Sequence, residues 1–274
     1  GGVAQNMITA IIQARMSSTR LPGKVLKEIG GQPMLAHLVE RARRASSVDQ
    51  VVVATTTDPS DDAIQHLCLA RGYNCYRGSL PDVLDRYTQA AREYGAQTIV
   101  RLTADCPLVD PGVLDLTVEA LAGHDFSANR LPPPWTRSLP IGLDVEVVTR
   151  AALERAWQEA HECYHREHVL PYIYEGVVFD PQPAPIGSEG FYTLHGINPH
   201  GYKIAQLHHT PDYGALRWTV DTPADLELVR QVFAYLEDPL EFTWRDVLGV
   251  FEQHPHLAEI NAQIQHKTAF DTEN

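Results

Sequence analysis

Short apolar runs, each too brief for a helix, alternate with longer segments of helical periodicity through the first hundred residues. That rhythm restricts the fold more than any other feature of the chain. Ile8 to Ala14 (ITAIIQA), Val51 to Thr55 (VVVAT), Tyr73 to Tyr76 and Thr98 to Thr103 (TIVRLT) read as strands. Between the first two, Met34, Leu35, Leu38, Val39 and Ala42 recur at helical spacing, with Glu40, Arg41, Arg43 and Arg44 on the opposite face. Asp61 to Arg71 and Pro81 to Tyr94 read as the next two helices. Strands separated by such helices build βαβ units and a parallel sheet, and ligands bind at the carboxyl ends of its strands.

The rhythm changes after about residue 125. Pro132, Pro133, Pro134 and Pro140 crowd a loop, a strand (LDVEVV) begins at Leu143, and helices are expected over Ala151 to Ala160 and Glu167 to Tyr174. The Pro/Gly-rich stretch from 175 to 201 is expected to be irregular. Alternation resumes with a strand, Arg217 to Val220, followed by a helix that Thr222 caps and Pro223 starts. We expect one domain over 7–254 with an insertion at about 125–215. Met7 reads as the natural start, residues 1–6 as a remnant ahead of it, and residues 255–274 as a tail.

Composition limits the partners. Of 274 residues 35 are acidic and 22 basic, a formal net charge of −13, which repels nucleic acid and anionic membrane surfaces. Any phosphate must be gripped by a local concentration of cations. No apolar run approaches the roughly 20 residues of a membrane span, and no leader is recognised, so a soluble cytoplasmic protein is expected. The four cysteines form no CxxC pair, which suits free thiols in a reducing compartment.

Local basic charge stands directly after the first strand. Arg15-Met-Ser-Ser-Thr-Arg-Leu-Pro-Gly-Lys24 holds three cations and three hydroxyls. A polyphosphate needs such donors, and a loop leaving a strand can add backbone N–H groups as an anion nest. The segment is neither GxxxxGK[ST] nor GxGxxG, and a solvated basic turn is the alternative reading.

Six blocks in order, IIQARMSSTRLPGKVL, YRGSLPDVLDRY, RLTADCPLVDP, GLDVEV, REHVLPYI and LRWTVDTPADLELV, resemble the cytidylyltransferases that make CMP-activated sugar acids. Within these the similarity is strongest to the spore coat polysaccharide biosynthesis protein F group. The resemblance implies an α/β, three-layer, mainly parallel sheet of the glycosyltransferase-A-like nucleotide-diphospho-sugar transferase fold. It also implies transfer of CMP from CTP to a small acidic acceptor with release of pyrophosphate. Ala14, Arg15, Ser18, Arg20 and Lys24 would then hold the triphosphate, with Lys24, Arg15 and Arg20 stabilising the developing charge. Ala54, Thr55, Arg77, Ser79 and Asp82 would lie near the base or ribose; equally, Ser79 and Asp82 form an S-x-x-D helix start that needs no ligand.

Asp105 and Asp221 each follow an expected strand, which suits Mg2+, a cation held by one or two carboxylates together with substrate phosphates. The resemblance places metal-binding aspartates at both positions. Without a metal, Asp221 would cap a helix and Asp105 would sit in a turn. Asn129, Asp144, Glu146, Arg166, Glu167 and His168 fall in blocks that resemble the acceptor pocket. Strand alternation would put Asp144 and Glu146 on one face. His161, His165 and His168 suggest a transition-metal site but lack a fourth ligand at a recognised spacing. A sugar acid, a phosphonate or a phosphorylated small molecule would each suit as acceptor, and the resemblance implies a homodimer formed through the insertion. The alternatives are a glycosyltransferase of the same fold, for which Ala104-Asp105-Cys106 offers one carboxylate in place of a DxD pair, and an inactive nucleotide-binding subunit.

Overall fold

The computed structural model describes residues 6–188 and 190–264. Of the expected remnant and tail, residues 1–5 and 265–274 lie outside the described residues. The first half carries strands β1 (Ile8–Gln13), β2 (Glu28–Ile29), β3 (Gln32–Pro33), β4 (Gln50–Thr56), β5 (Asn74–Gly78) and β6 (Thr98–Thr103). Interleaved with them are helices α1 (Met34–Arg43), α2 (Asp62–Arg71), α3 (Val83–Glu93) and α4 (Pro111–Ala120). Then come β7 (Phe126–Ala128), β8 (Glu146–Thr149), α5 (Arg150–Glu159), α6 (Cys163–His168), α7 (Pro171–Tyr174), β9 (Val178–Pro185), β10 (Phe191–Ile197), β11 (Lys203–His209), α8 (Pro223–Tyr235) and α9 (Trp244–Gln253).

Nine strands form one sheet in the order β5-β4-β1-β6-β8-β7-β11-β10-β9. Its pairings leave only β8 and β10 opposed to the rest, so seven of the nine strands share one direction. Alternate residues of the central strands enter two separate cores. Ala10, Ile12, Val53 and Leu102 pack against α1, α4, α8 and α9; Ile11, Val52, Ala54 and Ile99 pack against α3, α5 and α7. This sandwiching makes three layers and explains why the strands read as nearly continuous apolar runs. Ile11 and Ile12 are fully buried on opposite faces, each gaining about 1.5–3 kcal/mol over exposure.

Four expectations are corrected. Arg217 to Val220 is not a strand of the sheet: its one bridge joins Arg217 to Ile141. The LDVEVV strand begins at Glu146, so Asp144 lies in the preceding loop and shares no strand face with Glu146. The helix expected from Glu167 to Tyr174 is broken at Val169, whose φ of 75° cannot continue a helix. The stretch from 175 to 201 is not irregular, since β9 and β10 lie within it and pair with each other, and β10 pairs on with β11. Prolines had masked β9, which tolerates them because it is an edge strand. Ile186 donates to Phe191 O (3.3 Å), so positions 184 and 186 face β10 while Pro183 and Pro185 face outward.

Residues 255–264 also pack on the body of the protein. Leu257 is fully buried in the same core as α1 and α8.

Candidate active site

The ends of β1, β4 and β6 lie in register, Gln13 beside both Ala54 and Thr103. Ala14 donates to Ala54 O (3.1 Å) and Ala104 to Gln13 O (3.0 Å), so the segments bearing Arg15, Thr55 and Asp105 leave the sheet together. The basic loop then folds back on itself. Gly23, in the left-handed region at φ 69°, donates its N–H to Met16 O (2.8 Å) and starts the single turn that carries Lys24. Met16 N–H donates to Asp61 Oδ1 (2.7 Å), and Thr56 Oγ1 donates to Asp61 Oδ2. Buried Asp61 therefore fastens the loop to the end of β4, a role that its position at a helix start did not reveal.

Lys24 and Asp221 meet at 2.9 Å, Nζ to Oδ1. Arg217 Nη2 stands 3.2 Å and Arg20 Nη2 3.9 Å from Asp221 Oδ2. Burial favours the neutral acid, but the ammonium of Lys24 and then the guanidinium of Arg217 outweigh it and hold the Asp221 carboxyl below its ordinary range. Asp105 lies alongside: its carbonyl accepts from Val220 N (2.8 Å) and from Thr219 Oγ1 (3.0 Å). These two bonds bring 105 and 221 together although neither belongs to a common strand pair. Beside Asp105, burial keeps the Cys106 thiol protonated, which removes it as a nucleophile.

The Asp105 carboxylate accepts from Thr103 Oγ1 (2.5 Å) and that of Asp221 lies against the loop cations; two carboxylates on adjacent segments beside a basic loop are a donor set of the kind that would suit Mg2+. Among the described residues no three His, Cys, Asp or Glu side chains cluster as a metal site, which argues against a transition metal at His161, His165 and His168. His165 Nε2 instead pairs with Glu175 at 2.8 Å.

A cleft of about 450 Å³ opens beside the loop, its walls including Gln13, Arg15, Asp82, Arg86, Arg166 and Glu167. Arg166 grips Asp82, with Nη2 to Oδ2 at 2.9 Å and Nε to Oδ1 at 3.0 Å, and thereby joins the segment expected near the base to one expected near the acceptor. Ser79 Oγ accepts from Asp82 N (3.1 Å) and Asp82 Oδ1 from Asp85 N (2.9 Å), so both residues form the start of α3 while Asp82 also faces the cleft. His168 is buried on α6 next to Glu167, with 4.0 Å between Nε2 and Oε2. Thr55 Oγ1 is buried.

Arg77 is a correction. Its guanidinium is divided among Thr56 O (2.6 Å), Asp58 O (2.8 Å), Asp62 (2.7 Å) and Gln65 (2.9 Å), which commits four of its five N–H donors to fastening β5 to α2. Arg86 takes its place in the cleft wall. It is fully buried, and Nε and Nη2 donate to Ser79 O (2.9 Å) and Leu80 O (3.1 Å), while Nη1 has no hydrogen bond among the described residues. Burial first, with the charge of Arg15 adding to it, pulls its pKa to about 10, so it remains a cation. The signal was present in the sequence: Arg86 occupies the apolar stripe of α3 between Leu84 and Tyr87.

Asn129 is likewise corrected. Its Nδ2 donates to Leu143 O (2.6 Å) and its Oδ1 accepts from Val145 N (2.8 Å), so the buried amide shapes the 143–145 loop. Asp144 faces Arg137 (3.4 Å) and Arg130 (3.7 Å). Glu146 pairs with Arg101 at 3.0 Å, and Arg101 also donates to Gln13 Oε1 (2.9 Å). Arg130 Nε and Arg137 Nη1 are buried without a hydrogen bond among the described residues. Desolvation opposes the charge of Arg130, but Asp144 and then Glu146 outweigh it and raise its pKa. Arg101, Arg130 and Arg137 escaped the sequence reading because one lies in a buried strand and two in a proline-rich loop.

The cytidylyltransferase family profile matches residues 9–237. The spore coat polysaccharide biosynthesis protein SpsF of Bacillus subtilis is 30% identical over 92% of this chain and 97% of its own length. A 3-deoxy-manno-octulosonate cytidylyltransferase of Anaeromyxobacter dehalogenans is 32% identical over 83% of this chain and 98% of its own. Among solved structures, a cytidylyltransferase from Leptospira borgpetersenii superposes with a TM-score of 0.80 at 30% identity, covering 96% of this chain and all of the other. No helix among the described residues is long and apolar enough to cross a membrane. With sequence, sheet order and loop geometry in agreement, this chain belongs to the cytidylyltransferase family and is a nucleotidyltransferase.

Proposed function

We propose that the protein transfers CMP from CTP to a small acidic acceptor, a sugar acid being favoured over a phosphonate or a phosphorylated small molecule, and releases pyrophosphate. The observation that carries this reading is the contact of Lys24 with Asp221 beside Asp105, which joins a triphosphate-sized basic loop to two carboxylates at one edge of the sheet. Arg15, Arg20 and Lys24 bind the phosphates, with Ala14 and Ser18 on the same loop. Ala54, Thr55, Ser79, Asp82 and Arg86 border the nucleoside. Asp105 and Asp221 would hold Mg2+, which when bound supplies positive charge to the triphosphate and the leaving oxygens.

A hydroxyl oxygen of the sugar acid attacks the α-phosphorus and gives up its proton to solvent, and the bond between the α-phosphorus and the bridging oxygen breaks, with its electron pair leaving on pyrophosphate; an acceptor that already carries a phosphoryl or phosphonyl oxygen would attack through that oxygen with no proton to lose. The chain's share is positioning and charge neutralisation by Lys24, Arg15 and Arg20, as in other phosphoryl and nucleotidyl transfers. Arg137 Nη1, buried without a hydrogen bond among the described residues, and Arg130 offer positive charge to an anionic group on the acceptor; Asp144 and then Glu146 hold Arg130 charged against its burial, whereas at Arg137 burial outweighs Asp144 and lowers the pKa. Arg166 and Glu167 border the cleft beside the phosphate loop, with His168 next to Glu167 on α6.

The test is a pyrophosphate-release screen of the four ribonucleoside triphosphates against sugar acids, phosphonates and phosphorylated amino compounds. CTP with a sugar acid is expected to give pyrophosphate. A nucleoside diphosphate as by-product would replace this reading with a glycosyltransferase, and tight CTP binding without turnover on any acceptor would replace it with a binding subunit.

A further inference from the structure

The segment that carries Asp221 lacks the support a strand end normally has, because residues 217–220 pair with no strand of the sheet and make only an isolated bridge, Arg217 to Ile141 of the 129–145 loop. Besides the two bonds to Asp105 O, what holds it is Asp225, fully buried, whose carboxylate accepts five hydrogen bonds. Oδ2 takes the amides of Asp221 and Thr222 (3.0 Å each) and Arg217 Nη2 (3.0 Å). Oδ1 takes Arg217 Nε (3.1 Å) and the side-chain amide of Asn261 (2.9 Å). Asn261 Nδ2 also lies 3.2 Å from Arg217 O, so one buried amide touches both the carboxylate and the backbone of this network.

Asn261 belongs to a segment that has its own anchors. Leu257 is fully buried, and Phe251 of α9 stacks on Trp218 with ring centroids 5.8 Å apart and planes at 11°. The segment therefore packs over 217–218 from behind, and it lies beyond residue 237, where the family match ends.

We propose that Asn261 is a positioning residue for the divalent cation, fixing the Asp221 carboxylate through Asp225 and Arg217; this rests on the metal reading of Asp221 given above. Arg217 Nη2 is shared between Asp225 Oδ2 (3.0 Å) and Asp221 Oδ2 (3.2 Å), so any loosening of Asp225 passes directly to Asp221. Outer partners of metal-binding groups typically change metal affinity or activity by about 10–100-fold when removed.

The experiment measures CTP affinity by calorimetry in EDTA and again with Mn2+ as the probe cation, in the full chain. The ratio of the two affinities reports the contribution of the cation. Asn261→Ala is expected to shrink that ratio about tenfold while its EDTA value stays at wild type. Asn261→Leu, which keeps the branch at Cγ and loses both hydrogen bonds, is expected to do the same and provides the measurement should the alanine variant unfold. Leu257→Ala, which removes packing without touching the bonds, is expected to lower Tm and leave the ratio unchanged. An unchanged ratio in both Asn261 variants overturns this inference alone, as does an equal fall in Leu257→Ala, which would mark the effect as general loosening. A wild-type ratio of one, with no effect of Mn2+, overturns the metal reading and this inference together.

Discussion

Lys24 Nζ and Asp221 Oδ1 stand 2.9 Å apart across 197 residues of chain. Each is the counterion of the other when no nucleotide is bound, and each is assigned a different partner, phosphate or cation, when one is. Lys24→Ala is expected to reduce the rate of pyrophosphate release by about 10²–10³, the loss seen when one pre-organised donor to a developing charge is removed. Far-UV circular dichroism should remain that of the wild type. Activity within tenfold of wild type in a folded Lys24→Ala variant would remove Lys24 from the machinery.

A second pair, Arg101 with Glu146 at 3.0 Å, is buried on both sides. Replacing one member strands the other charge away from water, at a cost of about 3–5 kcal/mol. Arg101→Met should therefore lower the urea midpoint sharply. The double replacement Arg101→Met with Glu146→Leu should recover most of that loss, and a double variant as unstable as the single one would show that packing, not charge, is responsible.

For the acceptor, Arg137→Ala removes one cation whose Nη1 is otherwise orphaned. Hydrogen bonds to charged groups contribute about 1.5–3 kcal/mol, so KM for the acceptor should rise tenfold or more with KM for CTP unchanged. Steady-state kinetics with each substrate varied in turn decides this, and a rise confined to CTP would relocate Arg137 to the nucleotide side.

Stability should depend on pH through His37. Burial lowers its pKa below the ordinary 6.5, in spite of the bond from Nε2 to Ile29 O at 2.6 Å. The unfolded chain takes up a proton that the folded one resists, so this contribution is fully present above pH 6.5 and declines as pH falls below it. Thermal midpoints between about pH 7 and pH 5 should fall, and less steeply in His37→Gln. His208 and His209, also lowered by burial, leave a residual slope. Parallel curves for the two proteins would exclude His37 as a source.

The parallel part of the sheet was legible because Ile11, Ile12, Val52 and Val53 are each committed to a core by their place in a short apolar run. The loop from Arg15 to Lys24 was legible as a concentration of charge against an acidic background. Three-dimensional partners were not. Asn129 and Arg77 look like ligands in one dimension, and only their neighbours show that both have structural partners, Leu143 and Val145 for the one and Thr56, Asp58, Asp62 and Gln65 for the other. Arg86 and Arg101 were overlooked for the opposite reason: a cation within an apolar run reads as an exception to a pattern until a cleft is found beside it, as for Arg86, or a buried counterion, as for Arg101. Similarly, Arg217 to Val220 has the composition of a strand, yet its supports come from Asp105, Asp225 and Asn261, which no local pattern connects.

Pro183 and Pro185 turn their nitrogens away from β10, so the free side of β9 offers carbonyls where a pairing strand would need donors as well. Sheet growth stops there. Val178 and Ile197, exposed at 79% and 59% and opposite one another in register, leave that flank sticky to apolar side chains but closed to backbone recruitment.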